Sequence, residues 1–180
     1  MLDLEVYRDG GLLKLHHDAG VPHPADLYSW QLVPGMQFTY TPFAAILFAS
    51  VALLPFSVLR GLIWVTSVSA LAGAIWMTFG GLGYPRDRTR LGATLLLAAT
   101  VLWTQPVVRT LQLGQVNLLL MALIIWDLGQ PGKRKWIGAG VGIAAGVKLV
   151  PLIFIPYLAL TGRLRQAAVA AGSFAASCLQ

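Results

Sequence analysis

Uncharged runs and short charged clusters alternate along most of this 180-residue chain. Residues 43–59 are uncharged and end at Arg60. Residues 61–84 follow and are closed by Pro85-Arg86-Asp87-Arg88-Thr89-Arg90. Residues 91–108 end at Arg109. Residues 116–126 form the apolar part of a fourth segment, between the polar stretch 110–115 and the stretch from Asp127 to Lys135. Residues 136–162 make a fifth, interrupted by Lys148 and Pro151, and residues 166–180 begin a sixth. About 20 apolar residues cross the hydrocarbon layer as a helix. The pattern therefore predicts an all-α, polytopic transmembrane helical bundle over residues 43–180, with five or six segments.

Residues 1–42 differ. They hold all three histidines, four of the ten prolines and five of the seven acids. They read as an extramembrane loop containing one short amphipathic helix, around residues 6–17. Residues 27–41 are broken by Pro34 and Gly35, and carry Tyr28, Trp30, Phe38 and Tyr40. That composition suits a segment lying at the headgroup level. The polar start and the short last run both read as parts of a longer polytopic protein, with an apolar helix expected ahead of Asp3.

Charge sharpens the division. The first 26 residues set Arg8 and Lys14 against Asp3, Glu5, Asp9, Asp18 and Asp26, whereas the rest holds eleven Lys/Arg against Asp87 and Asp127. With 57% hydrophobic and 11% charged residues, there is too little polar surface for a soluble enzyme, a disordered chain or a nucleic-acid-binding domain. The cations stand between apolar runs, as loop charges do when they set membrane orientation. If residues 136–162 are one span, Arg86, Arg88, Arg90, Lys133, Arg134 and Lys135 face Arg60, Arg109, Arg163 and Arg165 across the membrane. That six-to-four excess places the first group in the cytoplasm. If residues 43–59 are re-entrant or shallow, the N-terminal loop then lies outside, with residues 109–117; this arrangement is preferred.

Four short polar stretches carry candidate chemistry. Asp3-Leu4-Glu5-Val6-Tyr7-Arg8-Asp9 is the densest; a carboxylate there is either a general base within reach of a substrate proton or a solvated loop charge. Phe38-Thr39-Tyr40-Thr41-Pro42 suits a helix start, since Pro is tolerated at the first helical position. Gln112-Leu113-Gly114-Gln115-Val116-Asn117 sets amides among apolar runs, where they bridge helices or bind sugar hydroxyls. Lys148 lies about 18 Å and 22 Å from the two ends of a continuous fifth helix. A cation so deep is expected to have a function, as a seat for a lipid phosphate, or else to pair with an acid elsewhere. Gly138, Gly142 and Gly146 form a close-packing stripe just before it. His16, His17 and His23 with Asp18 and Asp26 match no metal motif, and neither a metal nor a cofactor is expected. The single Cys178 supports no disulfide framework.

In that order and spacing, Asp3-Leu4-Glu5-Val6-Tyr7, Phe38-Thr39-Tyr40-Thr41-Pro42, Gly114-Gln115-Val116-Asn117 and Gly146-Val147-Lys148-Leu149-Val150-Pro151 resemble glycosyltransferase family 87. These are polyprenyl-phosphate-mannose-dependent α-mannosyltransferases of the GT-C superfamily. The resemblance covers nearly all of the chain. It implies a GT-C-like fold incomplete at both ends and a multi-pass protein of the plasma membrane. It also implies transfer of a hexose, mannose in the family, from a polyprenyl-phosphate sugar to a glycolipid or glycan acceptor with inversion. Asp3 is then the catalytic base in the first extracytoplasmic loop. Tyr7, Arg8, Tyr40, Arg109, Gln115, Asn117 and Lys148 are the expected substrate-binding residues. One carboxylate suffices because a phosphate leaves when a cation meets it, whereas glycosidases expelling an alkoxide need two. The competing expectations are a lipid-linked sugar transporter, with Lys148 and Pro151 at a midplane site, and a non-catalytic membrane scaffold.

Overall fold

The computed structural model describes residues 1–18, 40–130 and 134–179, with side chains described through Leu15 in the first stretch. All regular elements among the described residues are helical. They are α1 (Leu2–Asp18), α2 (Pro42–Ala52), α3 (Phe56–Gly81), α4 (Arg88–Val101), α5 (Gln105–Leu113) and α6 (Asn117–Leu128). After these come α7 (Ala139–Val147), a 3₁₀ turn (Val150–Ile153), α8 (Phe154–Leu160) and α9 (Leu164–Cys178).

The breaks follow local chemistry more closely than they follow charge. Pro55 separates α2 from α3, so α3 runs straight through Arg60, where a boundary was expected. Thr41 caps α2 through a hydrogen bond from the Ala44 amide, with Pro42 at the first helical position. Asp87 caps α4 by accepting from the Arg90 amide at 2.8 Å. The uncharged third segment is not one helix: α4 ends at Val101, and α5 departs at 76° behind Thr104-Gln105-Pro106. α3, at 26 residues and about 39 Å, is long and apolar enough to cross a bilayer. Among the described residues no other single helix meets that criterion; α4 and α5 meet it only as a bent pair.

Packing gives the directions. Leu59 and Ile63 of α3 share one apolar cluster with Val116 and Leu119, while Phe79 and Ile125 line one groove further on. Thus α3 and α6 run parallel. α4 returns along α3, tied by the buried Arg90, whose guanidinium donates to the carbonyls of Tyr84 and Trp76 and sits 4.0 Å from the Trp76 ring centre. α7 runs antiparallel to α6. The glycine stripe then packs α7 against α9: Gly138 meets Gln166 and Ala170, Gly142 meets Ala170 and Ser173, and Gly146 meets Ser177. This order makes α9 parallel to α7, so residues 149–163 must travel back.

The fifth segment is therefore a hairpin with Lys148 near its tip, not a single span. Its closing arm brings Arg165 to Arg134, where the guanidinium donates to the Arg134 carbonyl at 2.6 Å. Arg163 and Arg165 accordingly lie at the same end as Arg86, Arg88, Arg90, Arg134 and Lys135, and the six-to-four arrangement expected across the membrane does not hold. Outside α1, only Arg60 and Arg109 among the described Lys and Arg, apart from Lys148 at the hairpin tip, belong to the other half. The chain leaves helical geometry at Lys148, with φ −143° and ψ 129°, and the turn containing Pro151 comes directly after it.

Candidate functional site

The four polar stretches, far apart in sequence, meet at one end of the bundle. α1 lies along α2, closely enough that a Cβ on Gly11 would sit 2.7 Å from the backbone of Phe48 and Ala49. That contact stacks the Tyr7 ring on Phe48, with ring centres 4.3 Å apart, and sets it edge-on to Tyr40 at 4.9 Å. The two tyrosine hydroxyls share a hydrogen bond of 2.6 Å. Tyr7 is 2% exposed. Burial raises its pKa, and the neighbouring Tyr40 and the charge of Asp3 add to the rise, against a smaller opposing effect of the Val116 backbone. Burial raises Tyr40 as well, again with help from Asp3 and against the Tyr7 hydrogen bond. Both hydroxyls are thus held protonated.

Asp3 stands one turn before Tyr7. Its Oδ2 is buried and has no hydrogen-bond partner among the described residues. A buried carboxylate oxygen without a partner is costly and calls for an explanation. The start of α1 is seated against Gly114, which ends α5 at φ +76°. A side chain there would be strained, and its Cβ would lie 2.9 Å from that of Leu4. Gly114 thereby turns the chain from α5 into α6 and delivers Gln115 and Asn117 beside α1.

Lys148 completes the cluster from the other side. Its Nζ donates to Asn117 Oδ1 at 2.9 Å and lies 5.7 Å from the Tyr40 ring centre. Asn117 in turn donates from Nδ2 to Gln115 Oε1 at 2.6 Å. Thr41, next to Tyr40, donates to the Gly146 carbonyl at the end of α7. The amides thus bridge helices and hold the lysine. From this cluster a groove of about 580 Å³ opens along α6 and the returning arm of the hairpin. Asn117 and Lys148 are the polar members of its lining; Leu120, Ile124, Pro151 and Phe154 make much of the apolar remainder. Asn117 to Ile125 on α6 gives it a length of about 12 Å.

Asp3, Tyr7, Tyr40, Gln115, Asn117 and Lys148 are therefore brought together. Arg8 and Arg109 are not. Arg8 donates from Nε to the Ala52 carbonyl at 3.2 Å, at the far end of α2 from Thr41. Arg109 is exposed on α5, whose buried residues are Val107, Thr110 and Leu111. Phe38, Thr39, His23 and Asp26, and the side chains of His16, His17 and Asp18, lie outside the described residues. Among the described residues there is no group of three His, Cys, Asp or Glu side chains that could hold a metal ion.

Two residues escape a reading of the sequence. Thr41 is visible as a helix cap but not as a tie to α7. Asp127 looks like a loop charge, yet it is 0% exposed. Its carboxylate accepts from the Gly138 amide at 3.0 and 3.1 Å and from the Val141 amide at 3.0 Å, satisfying donors at the start of α7.

The profile of glycosyltransferase family 87 matches residues 38–179. The chain is 34% identical over 182 aligned positions to a polyprenol-phosphate-mannose-dependent alpha-(1-2)-phosphatidylinositol pentamannoside mannosyltransferase of Mycobacterium tuberculosis (strain CDC 1551). That alignment takes in 98% of the chain and 40% of the relative. A similarly described protein of Mycolicibacterium smegmatis is 35% identical over 75% of the chain and 32% of its own length. A polyprenol-phosphate-mannose-dependent alpha-(1-2)-phosphatidylinositol mannoside mannosyltransferase of Mycobacterium tuberculosis (strain H37Rv) is 29% identical over 99% of the chain and 44% of its own length. The chain thus spans less than half the length of these curated relatives. No solved structure matches it.

Proposed function

Because this chain belongs to glycosyltransferase family 87, we propose that it is part of an integral-membrane enzyme that moves mannose from a polyprenyl-phosphate donor to a glycolipid acceptor. The observation that carries this reading is Lys148, held by Asn117 at the polar end of an apolar groove and standing beside Tyr40, which in turn feels the charge of Asp3. A polyprenyl-phosphate sugar has a long apolar tail joined to a phosphate. A groove lined by Leu120, Ile124 and Phe154 suits the tail, and the Lys148 ammonium at its polar end suits the phosphate.

In this reading Asp3 Oδ2 accepts the proton of the acceptor hydroxyl as its oxygen bonds to the anomeric carbon. The bond from that carbon to the phosphate oxygen breaks in the same displacement, inverting the centre. Lys148 stabilises the negative charge that the phosphate gains. Tyr7 and Tyr40, kept neutral by burial, add no competing anion beside Asp3. Arg86, Arg88, Arg90, Arg134, Lys135, Arg163 and Arg165 gather at the opposite end, which favours that end as cytoplasmic and the site end as extracytoplasmic in a multi-pass arrangement.

The test is transfer of labelled mannose from polyprenyl-phosphate-mannose by membranes carrying the full-length protein. Asp3→Asn is expected to abolish transfer while leaving insertion in the membrane unchanged. Turnover at the unmodified rate by that variant would remove the assignment. Equal lipid translocation by both forms, without transfer by either, would favour a transporter.

A further inference from the structure

We propose that Asp127 is a positioning residue for Lys148: by holding the start of α7, it fixes where the lysine stands at the other end of that helix. The proposal rests on the reading of Lys148 as the phosphate contact. α7 has the sequence Ala139-Gly140-Val141-Gly142-Ile143-Ala144-Ala145-Gly146-Val147 and packs on α9 through Gly138, Gly142 and Gly146. Such a small-residue face allows close approach, and Ser173 and Ser177 of α9 sit in the notches left at Gly142 and Gly146. Polar ties at the two ends of α7 add to this fit in setting its register. At the C-terminal end Thr41 holds the Gly146 carbonyl, and Asn117 holds Lys148. At the N-terminal end Asp127 takes the amides of Gly138 and Val141.

Asp127 and Asn117 are both on α6, ten residues apart, so one helix carries both clamps. The separation along α6 is about 15 Å. The carboxylate also fits closely against the backbone it holds, since a Cβ on Gly140 would lie 2.8 Å from the Asp127 Cβ. A slip of one residue along the α7 axis displaces Lys148 by about 1.5 Å, enough to part it from Asn117. Displacement of an active-site group by about 1 Å can lower turnover on the order of a hundredfold.

The experiment uses the full-length protein in membranes with polyprenyl-phosphate-mannose as donor. It compares Asp127→Asn, Asp127→Ser, Lys148→Gln and the double variant Asp127→Asn/Lys148→Gln, each normalised to the amount inserted. Asp127→Asn is expected to raise the donor KM on the order of tenfold and to leave the acceptor KM unchanged, with Asp127→Ser moving the donor KM further. The double variant should have the donor KM of Lys148→Gln alone, because the effect of Asp127 passes through Lys148. Fewer correctly inserted molecules would lower the total rate with both KM values unchanged, and that outcome overturns the proposal. So does a double variant in which the two effects multiply. A donor KM unmoved by Lys148→Gln would instead overturn the phosphate reading, and the positioning role with it.

Discussion

Polar groups meet at both ends of α6, yet they are used differently. At one end Asp127 is fully buried and both its oxygens accept backbone amides of α7. At the other, Lys148 makes one hydrogen bond among the described residues, to Asn117, and faces an open groove. Arg90 and Lys148 differ in a related way, in what stands beside each cation. Arg90, 6% exposed, is turned onto two carbonyls and a tryptophan ring, a staple between α3 and α4. Among the acids, hydrogen bonding separates Asp127 from Asp3, whose buried Oδ2 has no described partner. What separates Lys148 from Arg90 is the open groove beside it rather than a full set of hydrogen bonds, since the buried Arg90 Nε also has no partner among the described residues.

That distinction can be broken by substitution. The largest effect is expected at Asp3: a base removed by Asp3→Asn lowers mannose transfer by about 10²–10⁴-fold, with no change in the amount of protein inserted. Lys148→Gln comes next, lowering kcat/KM for the donor by about a hundredfold, measured as initial rates over a donor series. Arg90→Met is expected to act in the opposite sense. It should cost about 2 kcal/mol of stability, read as resistance to detergent or heat inactivation, while the donor KM stays where it was. A changed donor KM there would erase the contrast between the two cations. Arg8→Gln is smaller again, about 0.5 kcal/mol from a lost contact with the end of α2, and transfer should fall less than threefold. A hundredfold loss would return Arg8 to the substrate site.

The smallest effect tests electrostatics within α1. Burial raises the Asp9 carboxyl pKa, opposed by Arg8 and aided by Glu5. A raised folded-state pKa favours the protonated form, so stability is greatest below the ordinary value of 3.8 and falls as pH rises through the folded-state value. Asp9→Asn should therefore stabilise the protein slightly at neutral pH, with the gain disappearing in acid. Thermal inactivation curves at several pH values read this directly.

Much of the candidate site was legible in the sequence because its residues are chemically out of place. A lysine among glycines and alanines, two amides around a glycine, and an acidic stretch ahead of apolar runs each announce themselves. The bends were less legible. Runs of uncharged residues report burial or lipid contact but not helix continuity, so the turn at residues 102–104 was hidden despite the Thr104-Gln105-Pro106 signature. Pro55 and Pro151 stood in plain view, but whether a proline kinks a helix, ends it or reverses the chain depends on what it packs against. The reversal after Lys148 is decided by α9, through contacts between residues some thirty positions apart. Asp127 was opaque for the same reason: its partners are amides, which any residue supplies.

The most direct test of the account is photo-crosslinking of the full-length protein in membranes with a polyprenyl phosphate carrying a photoreactive group along its tail. The adducts are then mapped by mass spectrometry. Adducts are expected along the groove, on residues 120–125 and 150–154, and are lost when Lys148→Gln removes the phosphate contact. Adducts confined to the outer faces of α3 and α4, or labelling of the groove that Lys148→Gln leaves unchanged, would contradict the proposed donor site.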